Sequence, residues 1–291
     1  MSRVTMNMMV NQFNSDLNSQ LTSISKDSYE LSSGNAIQLP QDDPVANNYI
    51  MSFKEKINGI TNYQSNITAG QSILNSTDSA LSSISTILNN ANTIALQGAN
   101  VTNSDSLTSL EKSVESLKQS LLSVANTSVG NTYIFAGSKS SSAPFSLDSD
   151  GNVVYSGDAS AITYSVEPGA ATTVNIDGTQ LLPIFKSLDN LELALKSGNQ
   201  QTISNSASDI QSAITTNNDL QSTVGSRQNM MQYLSSYYSN ATTNYNTILA
   251  SYQDVNFPTV VTDYSTRQTA YQAALKVGAQ ILPQSLVNYL Q

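Results

Sequence analysis

The sequence predicts a mainly α-helical protein with a small β-domain inserted between two helical halves. Three observations carry that reading. Long segments repeat apolar residues at alternating spacings of four and three, the signature of coiled-coil seams. The middle of the chain switches to short alternating runs punctuated by Asp-Gly and Pro-Gly pairs, the signature of hairpins. Both chain ends carry heptads, and short coiled-coil segments are unstable alone, so the simplest way to bury the two seams is to pair them.

The first helix carries Met6, Val10, Phe13, Leu17, Gln20, Ile24, Asp27 and Leu31 in three-four alternation, and Ser33-Gly34 supplies a stop. Gln20 and Asp27 soften this seam. After the loop NAIQLPQDDP a second helix starts at Pro44, with Phe53, Ile60, Ile67, Leu74, Leu81, Leu88 and Ala95 recurring every heptad. Its companion column turns polar at Gln64, Gln71, Asp78 and Ser85, while Ile73, Ala80, Ile87 and Ile94 line another side. A helix apolar on more than one side lies between several neighbours. A third helix carries Leu107, Leu110, Val114, Leu117, Leu121 and Val124 and returns antiparallel across a turn near 100–105.

The character changes near Asn131. Val153-Val154-Tyr155, Ile162 to Val166 and Thr173 to Ile176 are expected strands; Asp150-Gly151 precedes the first and Ser156-Gly157-Asp158 closes it, Pro168-Gly169 ends the second, and the third leads into Asp177-Gly178. Helix resumes at Ile184 and stops at Gly198. A long polar helix over about 201–253 carries Ile203, Ile210, Ile214, Val224, Tyr233, Leu234, Tyr237, Tyr245 and Leu249. Asn256-Phe257-Pro258 interrupts it. The last helix carries Val261, Tyr264, Gln268, Tyr271, Leu275, Gly278 and Leu282, then Leu286, Tyr289 and Leu290, with a kink expected at Pro283. The expected domains are a terminal coiled coil of residues 1–32 and 260–291, a helical rod of 33–135 and 184–259, and a β-domain of 136–183.

Composition narrows the function. Of 291 residues only 11% are charged, and the polar remainder is rich in Ser, Thr, Asn and Gln. Such helix faces cost little to desolvate and suit packing in an assembly. A net charge of −9 with 12 basic residues leaves no Lys/Arg stripe for nucleic acid or an anionic membrane. Histidine, cysteine and tryptophan are absent. That removes the commonest general base, thiol chemistry and disulfides together. The absence of cysteine also suits a secreted chain that must avoid cross-linking. The N-terminus lacks the apolar run of a cleaved signal peptide, so export is expected by a route that needs none.

Candidate motifs read as architecture. Asp42, Asp43 and Pro44 form a helix start, with Asp43 as cap and Pro44 in the first helical position. The two adjacent carboxylates also suit an acid/base pair or Ca²⁺, but the alternating acids of a calcium loop do not follow. Asp148, Asp150 and Asp158 read as turn residues rather than metal ligands. No phosphate-binding glycine loop and no nucleophile elbow occurs. No catalytic, cofactor-binding or metal residue is assigned. The candidate assembly residues are Val10, Phe13, Leu17, Ile24, Leu31, Tyr264, Tyr271, Leu275, Leu282, Leu286 and Leu290.

Several segments carry a family resemblance. Leu31-Ser32-Ser33-Gly34 followed by Gln41-Asp42-Asp43-Pro44 resembles the N-terminal signature of bacterial flagellins and their relatives. Asn131 to Gly137 (NTYIFAG), Gly225-Ser226-Arg227-Gln228-Asn229, Tyr271 to Ala279 and Ser285 to Leu290 resemble the hook–filament junction branch of that family. One departure is Gln253-Asp254-Val255-Asn256, where relatives carry an acidic Glu-Asp-x-Asp element before the last helix. The resemblance implies an elongated flagellin-like rod and a structural role, without a cofactor. It implies a secreted subunit at the junction of hook and filament. The implied partners are the first junction protein, flagellin, further copies of itself in a ring, and an export chaperone at the C-terminal helix. Neither nucleic acid nor membrane is among them. The alternatives are a flagellin filament subunit and a translocator-like protein of a type III export system.

Overall fold

The computed structural model describes residues 2–101, 103–149 and 151–287, with side chains described from residue 8 to residue 280. Six helices dominate: α1 (Ser2–Ser33), α2 (Pro44–Asn100), α3 (Ser104–Ala125), α4 (Leu182–Ser197), α5 (Gln200–Gln253) and α6 (Phe257–Val287). Between α3 and α4 lie six short strands: β1 (Ser128–Val129), β2 (Thr132–Tyr133), β3 (Phe145–Leu147), β4 (Val153–Tyr155), β5 (Thr163–Glu167) and β6 (Ala170–Thr173). A 3₁₀ turn over Gly178–Leu181 leads into α4. The chain divides into two compact units, Met1–Gly59 with Ala241–Gln291, and Ile60–Asn240.

The second unit holds most of the core. On α2 the column Ile60, Ile67, Leu74, Leu81, Leu88 and Ala95 is buried as its heptad spacing requires. Its companion is a different column from the polar one expected. Gly70, Thr77, Ile84, Ala91 and Gly98 are the buried partners, whereas Gln71 reaches outward to Gln232 Oε1 at 3.3 Å. Apart from Ile84 these residues are small and carry little hydrophobicity, so a search for apolar side chains passes over them. They matter because they let neighbours approach: a Cβ on Gly98 would stand 2.6 Å from Leu195 Cδ2 and 3.3 Å from Ile203 Cγ2. Ile73, Ala80 and Ile87 are also buried, so α2 does bury a second side.

On α5 the buried residues Ile203, Ser206, Ile210, Ala213, Asn217, Leu220, Val224, Met231, Leu234 and Tyr238 keep the three-four alternation. One slot of that series, between Val224 and Met231, is held by Arg227. Tyr233 and Tyr237, expected on the seam, are exposed. Tyr238 takes the seam position and donates its hydroxyl to the Val166 carbonyl at 2.7 Å. Asn217 is fully buried and donates Nδ2 to the Leu81 carbonyl at 3.1 Å, tying α5 to α2. Lys118 on α3 meets Asp189 at 2.6 Å and Glu192 at 3.5 Å on α4.

The strands form three separate antiparallel hairpins, β1–β2, β3–β4 and β5–β6. Pairing begins at Ser128, upstream of the expected start at 136, and beyond Thr173 the β5–β6 ladder gives way to one backbone bond, from Val174 N to the Ile162 carbonyl at 2.9 Å. Side-chain clamps replace a continuous sheet. Asn126 grips the backbone of Phe145 through both its amide atoms, at 2.8 and 3.0 Å. Tyr155 donates its hydroxyl to the carbonyls of Phe135 and Asp158, both at 2.9 Å. Burial, then the nearby Asp177 and Asp158 carboxylates, push its pKa up to about 12. Asp158 accepts from the backbone of Ser138 at 2.8 Å and of Ser160 at 3.0 Å, and also from the Ser138 hydroxyl. Those bonds hold its pKa well below the usual carboxylate range. Asp148 likewise serves its turn, accepting from Asn152 N at 2.8 Å. Among the described residues no cluster of three or more potential metal ligands occurs. No described helix is long and apolar enough to cross a membrane.

Candidate assembly interface

Within the first unit α1 and α6 run antiparallel against each other. The apolar heptad residues of α1 are half-buried in the seam, and the one fully buried side chain described on α1 is an acid, Asp27, at 6% exposure. Its Oδ2 lies 3.3 Å from Arg267 Nε. The other polar slot, Gln20, donates Nε2 to the Arg267 carbonyl at 3.3 Å. The two residues that weaken the seam in sequence therefore both engage Arg267. Glu30, one turn from Asp27, faces Lys26 at 3.8 Å. Burial raises its pKa, and Lys26 only partly offsets that.

The apolar candidates are placed around this pair. Val10, Phe13, Leu17, Ile24 and Leu31 on α1 and Tyr264 and Tyr271 on α6 are half-buried, and Leu275 is 45% exposed. Phe13 lies against Gly278, where a Cβ would stand 2.5 Å from two ring carbons. The side chains of Leu282 and Leu286, and all of Leu290, lie outside the described residues. Met8, Met9 and Leu21 on α1 and Val261 and Val277 on α6 are exposed. The helix pair thus leaves apolar side chains on both members exposed. Arg267 is absent from the seam read in sequence, which runs through its neighbour Gln268. A signal existed: an acid in a heptad slot needs a cation opposite, and α6 offers only Arg267 and Lys276.

The chain leaves α1 through Gly34, whose φ of 72° is accessible to glycine at little cost and whose N–H returns to the Glu30 carbonyl at 2.9 Å. The next residues are stitched to the end of α5. Ala36 N donates to the Gln253 carbonyl at 2.8 Å, and Val255 N to the Gly34 carbonyl at 3.0 Å. Asn35 and Asp254 form an antiparallel bridge, and Gln253 Nε2 donates to Asn35 Oδ1 at 2.7 Å. Gln253 thus supplies both its backbone carbonyl and its side chain to this joint.

Asp42 and Asp43 divide the helix start between them. Asp42 Oδ2 closes the preceding turn by accepting from Gln38 N at 3.2 Å and Leu39 N at 2.8 Å. Asp43 Oδ1 accepts from Val45 N at 3.0 Å and Ala46 N at 2.9 Å, and Pro44 opens α2. Both carboxylates are engaged by backbone donors, which suits capping rather than proton transfer. Beyond the cap, Tyr49 stacks on Tyr252 with centroids 5.2 Å apart, and Phe53 meets Tyr245 at 5.8 Å. Lys56 Nζ stands 5.5 Å from the ring centroids of both Phe53 and Tyr245. The unit is a scaffold of caps, stitches and stacked rings around a half-buried apolar seam.

Two family models match the chain. The bacterial flagellin N-terminal helical region matches residues 4–140 and the bacterial flagellin C-terminal helical region residues 207–290. Solved structures share the fold. One is a Vibrio parahaemolyticus protein provisionally assigned as flagellar hook-associated, at 21% identity and TM-score 0.67, covering 73% of this chain and 100% of that one. A second is FlgL of Bacillus cereus, at 19% and 0.60, covering 67% and 97%. A third is the flagellar junction protein FlgL of Legionella pneumophila, at 19% and 0.60, covering 72% and 100%. No curated protein sequence matches the chain.

Proposed function

The chain belongs to the bacterial flagellin family, and from that premise we propose that it is a structural subunit of the hook–filament junction, linking the first junction protein to the flagellin filament. The observation that carries this reading is the α1–α6 pair. It joins the two chain ends to each other and leaves Met8, Met9, Leu21, Val261, Leu275 and Val277 uncovered for neighbours in an assembly. The solved structures of this fold that bear the names junction protein and hook-associated protein support the junction over the filament itself.

In this reading the work is mechanical and requires no reactive group. Residues 1–32 and 260–291 form the inner, tube-building part, residues 33–135 and 184–259 the helical rod, and residues 136–183 the inserted β-domain. The subunit is exported through the flagellar channel, with a chaperone holding the C-terminal helix. It then assembles outside the cell with copies of itself in a ring, between the first junction protein and flagellin.

The rival within the family is a filament subunit, and self-assembly separates the two. Purified chain at high protein concentration, seeded with filament fragments, is sedimented and imaged. A junction subunit stays in short species, whereas a filament subunit yields long homopolymers, and such polymers would overturn the junction assignment. A companion test removes residues 1–30 or 265–291. The remaining chain should keep its folded second unit and lose incorporation into flagella, and normal incorporation would contradict the role given to the ends.

A further inference from the structure

We infer that the cavity between α5 and the chain that follows β6 is a carboxylate-binding socket, with Arg227 as its charged anchor. The inference uses residues of the second unit alone and stands apart from the junction reading. Leu220 and Arg227 lie one heptad apart on α5, so helical geometry puts them on one face, about 10 Å apart along the axis. The other wall comes from the end of β6 and the turn beyond it, with Thr173, Asn175, Asp177 and Gln180. Between these walls lies a cavity of about 210 Å³, well beyond the space one water needs.

Arg227 is the exception among the shielded cations. Lys118, Arg227 and Arg267 are the half-buried basic side chains among the described residues. Lys118 meets Asp189 and Glu192, and Arg267 meets Asp27. No described carboxylate lies within ion-pair distance of Arg227, which gives one N–H to the Asn175 carbonyl at 2.7 Å. Burial accordingly lowers its pKa, with no neighbouring acid to offset it. The one acid on the wall, Asp177, has both oxygens on Thr179, accepting from N at 2.8 Å and Oγ1 at 2.6 Å. Asn175, 4% exposed, is committed to Ile162 and Ser160. The groups left for a ligand are the rest of the guanidinium fork, the Thr173 hydroxyl and the Gln180 amide. Parallel N–H groups of a guanidinium match a carboxylate in two-point contact. The charge of Asp177 on the same wall disfavours a multiply charged anion such as phosphate. Leu220, 7% exposed, offers apolar surface to a short carbon chain. The ligand class is therefore a short aliphatic monocarboxylate. A free acid and a glutamate side chain presented by a second copy share that chemistry.

The arginines of the chain are Arg3, Arg227 and Arg267, so their guanidinium Nε–H signals can be followed one by one by nuclear magnetic resonance of the isotope-labelled full chain, with Arg227→Lys identifying its own. Sodium butyrate is titrated against sodium chloride at matched ionic strength. The Arg227 signal should move along a saturating curve with its midpoint in the millimolar range, an affinity open to a ligand of about six heavy atoms. Arg3 and Arg267 should follow the salt control, and inorganic phosphate should bind more weakly than butyrate. Thr223 is an exposed residue on the rim, one turn before Arg227. Thr223→Glu brings a carboxylate within reach of the guanidinium and should abolish the butyrate response, whereas Thr223→Gln should keep it. If a second copy supplies the carboxylate, the Arg227 signal also shifts as protein concentration rises, and butyrate reverses that shift, which supports the socket. An Arg227 signal that follows the salt control in both series overturns it. So does tighter binding of phosphate than of butyrate, or an undiminished butyrate response in Thr223→Glu.

Discussion

Arg227 donates Nη1 to the carbonyl of Asn175 at 2.7 Å, from a slot that the heptad of α5 would otherwise fill with an apolar residue. Asn175 in turn takes the Ile162 N–H on Oδ1 at 2.8 Å and gives Nδ2 to the Ser160 carbonyl at 3.0 Å. One cation therefore ties the hairpin region to a helix. Arg227→Leu fits the heptad and leaves the Asn175 carbonyl short of a donor. The expected cost is about 1–3 kcal/mol, the penalty of an unmet buried acceptor. Hydrogen exchange at Ile162 and Val174 should accelerate selectively. Unchanged exchange at these amides in a destabilised variant would show that Arg227 acts through the helix alone.

Lys118 makes a pH-dependent contribution. Burial lowers its pKa, but Asp189 and Glu192 outweigh burial and the net direction is upward from 10.5. A cation whose folded value is raised stabilises fully below its unfolded value and loses that contribution as pH rises through the folded value. Lys118→Met should cost about 1–3 kcal/mol at neutral pH, since it strands two partly shielded carboxylates. The difference from the unaltered chain should shrink above about pH 10.5, as denaturant midpoints across that range would show. A constant difference up to strongly alkaline pH would contradict the pairing.

Glu30 carries the opposite sign. Burial, ahead of the opposing charge of Lys26, raises its pKa above 4.5, so its ionised form costs the folded state stability. Glu30→Gln should stabilise the first unit at neutral pH by less than about 1 kcal/mol, the scale of partly exposed charges. The gain should fade as pH drops through the raised value, where the native carboxyl is itself protonated. Thermal melts of the two chains at neutral and mildly acidic pH test both the sign and the fading.

Asp43→Ala removes an acceptor shared by Val45 and Ala46 N–H groups at the start of α2. The expected loss is about 1 kcal/mol, with Asp43→Ser and Asp43→Asn largely retaining stability because each can cap. Asp42→Ala should loosen the turn at Gln38 and Leu39 instead, since those amides meet Asp42. Exchange rates at the two pairs of amides separate the roles.

Periodicity made the helices legible, and Asp-Gly and Pro-Gly pairs made the middle legible as hairpins. What stayed hidden has a physical pattern. Gly70, Thr77 and Gly98 pack α2 by being small, which no count of apolar residues detects. The β1–β2 hairpin escaped because each of its strands is only two residues long, and the strand end near Thr173 escaped because Asn175 clamps the backbone there and looks like an ordinary polar loop residue. At the candidate interface, Asp27 and Gln20 read as flaws in the seam until Arg267 is seen between them. Arg267 escaped because its neighbour Gln268 kept the three-four spacing and Arg267 does not.

The central claim is that this chain bridges hook and filament. Deleting its gene and imaging the cells by electron microscopy, with flagellin assayed in the medium, tests that most directly. The account predicts intact hooks without filaments and flagellin lost to the medium, restored by the full chain. Filaments of normal length on cells lacking the chain would contradict it.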